Sequence, residues 1–192
     1  VDSKVPGRLK LRSDLVGTTL KLPAPLDKPA FVALPTTVQT AMPMGSGQID
    51  VAFGKLLALR ARANGQQTGV HVVLGSDVVN AVPPASGLVV SGHTTSLDAL
   101  EWIALAKGGS SGDGMPLRHI DVTTDRLLLL GSNFPDTRLQ IAPAGNGLAV
   151  SMEGPALSGS LMVPQANKDA IAGKLSRLHW RAEKRGGPRT TR

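Results

Sequence analysis

The chain of 192 residues contains no cysteine and no tyrosine, and its aromatics are three phenylalanines and two tryptophans. Without cysteine there is no disulfide framework, no thiolate metal site and no cysteine nucleophile, and the redox compartment stays open. So few aromatics leave nothing on which successive bases would stack, so nucleic acid is not expected as a partner. The missing tyrosines also argue against an outer-membrane barrel, whose rims carry aromatic girdles. No apolar run has the length of a membrane helix, and the N-terminus lacks a signal-peptide pattern. Because the chain begins abruptly in the approach to a strand, a piece of a longer polypeptide is expected.

Catalytic signatures are missing as well. His71, His93, His119 and His179 are scattered, and none has a second ligand at metal-site spacing. There is no G-x-S-x-G elbow. The serines of GGSSGDG, residues 108–114, have no local base, and no P-loop lysine follows them. Asp121 and Asp125 read as a solvent-facing pair, and Asp77 and Glu153 lack supporting neighbours. A hydrolase would have to rest on His119 and Asp121. The expectation is a non-enzyme with no catalytic residue, no metal and no cofactor.

Turns are abundant, with 22 glycines and 14 prolines, and 41% of the residues are hydrophobic. This length suits one moderate domain or two small ones and suffices to bury a core. The stretch 117–164 organises the rest. Leu139 and Ile141 fall on alternate positions; so do Leu148, Val150 and Met152, and then Leu157, Gly159, Leu161 and Val163. A period of two puts each set on one face of a sheet. Residues 144–147, Ala-Gly-Asn-Gly, supply a hairpin turn. The pattern predicts an antiparallel meander with one apolar and one small, polar face.

Upstream, residues 9–12 and 15–22 read as the first two strands, followed by a proline-punctuated extended run through Pro23, Pro25 and Pro29. Residues 36–41 read as an edge strand, with further strands at 48–53, 57–63, 70–74 and 87–91, and Asn64-Gly65 marks a hairpin. Residues 96–107 break the pattern: Leu97, Leu100, Ile103 and Ala104 lie at helical spacing, with Ser96 as N-cap and Gly108-Gly109 as stop. Residues 171–180 form a closing strand whose apolar phase slips between Leu175 and Leu178, the mark of a bulge or of burial on both faces. The fold class predicted is mainly β, a strongly twisted or curved antiparallel sheet with one short helix, the alternative being a compact β-sandwich. Residues 1–180 would form one domain. Residues 181–192, RAEKRGGPRTTR, concentrate part of the net charge of +7. They read as a basic flexible tail or linker, or else as a binder of anionic headgroups or nucleic acid.

Several of these segments carry a family likeness. SDLVGTTLKLPAPLDKPA (13–30), GLVVSGHTTSLDALEW (87–102), LRHIDVTTDRLLLLGSNFPDTRLQI (117–141) and EGPALSGSLMVP (153–164) resemble, in the same order, segments of the bacterial YhdP family of the AsmA-like superfamily. These are strand and turn motifs without catalytic residues. The resemblance implies an internal, periplasmic segment of a larger envelope protein, anchored in the inner membrane through a segment not included here. It also implies phospholipid movement between inner and outer membranes along a hydrophobic sheet groove, in support of the outer-membrane permeability barrier. Partners would be phospholipid acyl chains and other parts of the same longer chain.

Two acyl chains with on the order of 30 methylenes, at roughly 0.8 kcal/mol each, resist water by well over 20 kcal/mol. An apolar sheet face would shield them. On this reading Leu139, Ile141, Leu148, Val150, Met152, Leu161 and Val163 are the lipid-facing candidates. The same ladder would equally serve as packing beneath the helix or against a second sheet. The competing function is a β-rich scaffolding or protein-binding module that works through its edge strands.

Overall fold

The computed structural model describes residues 7–21, 23, 25–42, 47–109, 115–166 and 169–179. They form a 12-stranded sheet that does not close into a barrel. Its first half is a meander of β1 (Arg8–Ser13), β2 (Thr36–Ala41), β3 (Gln48–Phe53), β4 (Leu57–Asn64) and β5 (Gln67–Leu74). Its second half is another, of β8 (Leu117–Leu129), β9 (Ser132–Ala144), β10 (Gly147–Glu153), β11 (Leu157–Pro164) and β12 (Ala172–Leu178). Between them lies β6 (Gly87–Thr94), parallel to both β5 and β8, and a two-residue β7 (Leu97–Asp98) pairs with β8. The sheet is therefore mostly antiparallel, with parallel joins at its centre. It is single, so the sandwich alternative does not hold.

Most of the period-two segments form strands. The 9–12 segment is β1, and β2 and β3 have the bounds that the alternation sets. β2 is interior, paired on both sides, and β1 is the edge. Over the described residues 15–21 the second strand predicted at 15–22 does not form. Only Leu20 bridges, to Lys28, within a long connection between β1 and β2. The reason is a contact from further along the chain: the Lys28 ammonium gathers the carbonyls of Leu15 and Thr18 and takes them out of any ladder. The phase slip in the last strand is a bulge opposite Ser158/Gly159. Trp180, the basic tail and residues 110–114 of the glycine-serine loop lie outside the described residues.

The helix α1 spans Ala99–Gly109. Its cap is Asp98 rather than Ser96: Asp98 Oδ1 accepts from the amides of Leu100 and Glu101 at 2.9 and 3.1 Å. Leu97 belongs to β7, so the apolar stripe turns relative to the expected one. Ala99, Trp102, Ile103 and Ala106 are buried, while Leu100, Ala104 and Leu105 face away from the core. The helix crosses the apolar face of the sheet, and its end lies near the end of β11, where Gln165 Nε2 donates to the carbonyl of Lys107.

Buried side chains on β8, β9, β10 and β11 join the helix in one cluster. Four strands at about 4.8 Å spacing are wider than one helix of about 10 Å diameter. Their burial around a single helix requires the sheet to curl about it, as the right-handed twist of a wide sheet favours.

Residues 75–86, the crossover from β5 to β6, run on the opposite face. A Cβ on Gly69 would lie 1.6 Å from the carbonyl oxygen of Pro84, so the crossover needs a glycine beneath it.

Candidate functional site

Register converts the period-two pattern into one row that crosses the sheet. Leu11 pairs with Val38, Val38 with Val51, Val51 with Leu59, and Leu59 with Val72. The row continues through Val90, Ile120, Ile141 and Val150 to Leu161. Paired residues share a face, so one aliphatic stripe runs from edge strand β1 to β11. Its two halves have different surroundings. From Val90 to Val150 the stripe is buried in the cluster that α1 joins. From Leu11 to Val72 it is partly exposed, and Leu11 itself is 53% accessible.

The seven lipid-facing candidates are all on this face. Leu139, Ile141, Leu148, Val150, Met152 and Val163 are buried in the helix-covered cluster, and Leu161 packs against it partly exposed. In this structure they line the packed side of the curl. On β1–β5 the apolar side chains of this face are buried only at Leu57 and Leu74, which join the core cluster, and elsewhere the face carries accessible apolar surface, with Ile49 on β3 and Val70 on β5 beside the row. The alternation that revealed the buried ladder is present in those strands too. What the sequence does not reveal is which half the helix covers. On the same side, the outward residues Leu100 and Leu105 of α1 are 47% and 41% exposed, so the helix is apolar both towards the sheet and away from it.

The opposite face is polar and ion-paired. Arg60 Nε donates to Asp50 Oδ1 at 2.6 Å, and Gln48 donates to the other oxygen at 2.9 Å. With Arg8, Gln39 and Asp77, this pair lines a cavity of about 470 Å³ under the 75–86 crossover. Further along, Arg138 grips Asp121 through two hydrogen bonds, of 2.7 and 2.6 Å. That contact holds the Asp121 carboxyl below its usual range. His71 Nε2 lies 2.9 Å from Ser91 Oγ, and burial, assisted by the nearby His119, pushes the His71 pKa down. His93 contacts Asp125 at 3.1 Å. Asp121 and Asp125 thus serve separate partners. Among the described residues no three His, Asp or Glu side chains converge as a metal site requires.

Among the described residues no helix is long and apolar enough to cross a membrane. A family model described as YhdP protein matches residues 2–192. No curated protein matches, and neither does any solved structure.

Proposed function

Since this chain belongs to the YhdP family and so is part of a YhdP-like envelope protein, we propose that it binds phospholipid acyl chains on the uncovered half of its apolar sheet face. The observation that carries this reading is the row Leu11–Val38–Val51–Leu59–Val72. It is aliphatic at every strand, lies on the helix side of an open sheet, and is left partly exposed. Contiguous apolar area of this kind is rare on a soluble surface unless something occupies it. The outward Leu100 and Leu105 of α1 support the same reading, since a helix in contact with acyl chains gains from apolar residues on both sides. The polar face remains in water, so a lipid could lie along the curl with its headgroup at the rim.

In this role the protein is a periplasmic carrier rather than an enzyme, moving phospholipid between the two membranes along one sheet face. It would work together with other parts of a longer chain and with a membrane anchor outside this segment. The helix-covered ladder of β8–β11 would hold the curvature, while β1–β5 would carry the load. The test is native mass spectrometry of the purified chain. Phospholipid should co-purify, and Val51→Asp and Leu59→Asp should each remove it while leaving the fold intact. A folded, lipid-free wild-type chain overturns the reading.

A scaffolding role is the second reading, and one observation favours it. β1 and β12 are sheet edges, each paired on one side only among the described residues, and such edges accept strands from other chains.

A further inference from the structure

The uncovered half of the apolar face is not open at both ends. Register sets Ser13, Thr36, Phe53, Leu57 and Leu74 in one row at the ends of β1–β5. In that row Thr36, Leu57 and Leu74 are buried, and Phe53 packs against the core cluster. The row Val38–Val51–Leu59–Val72 is partly exposed, and in the one beyond it, Thr40–Ile49–Ala61–Val70, Ile49 is 39% exposed. Burial thus falls along the strands from one end to the other.

The connection between β1 and β2 covers the closed end. It leaves the sheet after Ser13 and rejoins it at Thr36, both in the buried row, and the amide of Gly54 donates to the carbonyl of Pro35 at 2.6 Å. Leu26 is the one buried apolar side chain among its described residues, and it shares a cluster with Leu57 and Leu74. The connection is braced from within. Lys28 is 3% exposed, and its Nζ donates to the carbonyls of Leu15, Thr18 and Pro29 at 2.8, 2.7 and 3.2 Å. The amide of Gly17 donates to the carbonyl of Ala30 at 2.7 Å, and that of Leu34 to the carbonyl of Asp14 at 2.6 Å. Such bracing makes a wall rather than a flap.

Charge and length separate the two ends. The connection carries Asp14 and Asp27 against Lys21 and the enclosed Lys28, so it offers a phosphate no surplus of positive charge. At the open end, residues 40–49 and 61–70 contain no carboxylate and one cation, Arg62. Arg62 is exposed, forms no ion pair among the described residues, and pairs across the strands with Gln48 and Gly69. The Asp50 carboxylate near it is taken by Arg60 and Gln48. It lies on the polar face close to the end of β4, from where a long side chain reaches the rim. From Leu57 to Ala63 β4 rises about 20 Å at roughly 3.4 Å per residue. The hydrocarbon of one bilayer leaflet is about 15 Å deep, half of a core of about 30 Å, so acyl chains fit between the buried row and the open end.

We propose that the β1–β2 connection is the end wall of the lipid site. Acyl chains lie along β2–β5 with their methyl ends towards Leu26, and the phosphate emerges at the far end beside Arg62. This rests on the acyl-chain reading and gives the bound lipid a direction.

The experiment is NMR of the 192-residue chain with phosphatidylcholine that carries a nitroxide near either the methyl end or the carboxyl end of one acyl chain. The methyl-end label should broaden the amides of Leu57 and Leu74 most, and the carboxyl-end label those of Ala63 and Thr68. A reversed pattern, or equal broadening at both ends by each label, overturns the direction and leaves acyl-chain binding in place. Broadening by neither label on β1–β5 overturns both. Arg62→Gln should weaken binding by up to about fivefold, whereas Lys55→Gln, the same change at the closed end, should leave it as in wild type. Both side chains are exposed, so neither change should move the melting temperature. Equal effects from the two overturn the phosphate placement. Among phospholipids that co-purify, Leu26→Ala should shift the distribution towards longer acyl chains, and a folded Leu26→Ala protein with the wild-type distribution overturns the wall.

Discussion

Replacing Val150 with Asp and, separately, Val51 with Asp puts the same charge into the covered and the open halves of one row. Val150 is 1% exposed, paired with Ile141 and Leu161 and flanked along its strand by Leu148 and Met152. Losing the valine burial costs about 1.5–3 kcal/mol. A fully buried carboxyl has its pKa raised by up to about 3–5 units, at about 1.4 kcal/mol each, which adds about 4–7 kcal/mol at neutral pH. The sum, about 6–10 kcal/mol, rivals the whole stability of a domain, about 5–15 kcal/mol. Val150→Asp should therefore be unfolded or nearly so in a circular-dichroism melt at pH 7. The sign with pH follows. A carboxyl whose folded-state pKa is raised is tolerated when protonated, so the mutant should recover relative to wild type as pH falls through that raised value towards about 4. At Val51, water reaches the new carboxylate, and the loss should be about 1 kcal/mol. That variant should fold and release its lipid. A Val150→Asp protein that melts within a few degrees of wild type at pH 7 refutes the closed packing of the β8–β11 ladder.

Other changes test other parts. Lys28→Met removes three hydrogen bonds to carbonyls and should cost about 2–4 kcal/mol, read by urea denaturation and by new proteolytic nicking between residues 14 and 35. Gly69→Ala drives a methyl group into the Pro84 carbonyl and should destabilise by about 2 kcal/mol or more, whereas Gly65→Ala, with open space around it, should cost only its backbone strain. The His71 pKa is depressed in the folded state, so its contribution is present above about pH 6.5 and is lost as pH falls. His71→Gln should flatten the stability profile between pH 7 and 5, measured by urea titration. The Asp121 pKa is also depressed, so its ion pair stabilises above about pH 4 and is lost on acidification through the folded value. Asp121→Asn should cost under about 1 kcal/mol at neutral pH and nothing at pH 2, read from urea midpoints at the two pH values.

Where side chains alternate against an uninterrupted ladder, the structure was readable from residues alone. β3, β4, β10 and β11 are cases, because the period of two and the flanking Gly and Asn turns both act locally. Three features lie beyond that signal. The parallel setting of β6 depends on where the chain returns after the 75–86 crossover, and Pro83-Pro84 reads only as a loop. The strand predicted at 15–22 alternates well enough, yet Lys28, distant along the chain, withdraws its carbonyls. The helix begins later than Ser96 because Asp98 offers the better cap once Leu97 has joined β8. The apolar face of the candidate site was legible as a face. The lipid-facing candidates are the side chains with the cleanest alternation, and strict alternation reports a consistent face without saying whether a helix lies on it.

The strand order has a kinetic consequence. From β2 to β5 and from β8 to β12 each strand pairs with the one just before it across a connection of a few residues, so these strands can form by short-range hairpin closure. The joins on either side of β6 need the chain to loop back before pairing, once through residues 75–86 and once through α1 and the residues that follow it, and β1 reaches β2 only across residues 14–35. Closing such loops loses more chain entropy before any contact repays it, so these joins should form last. The molecule would then assemble as two hairpin arrays, and the zipping of β6 between them would set the folding rate. Amides of β6 would acquire hydrogen-exchange protection after those of β4 and β10.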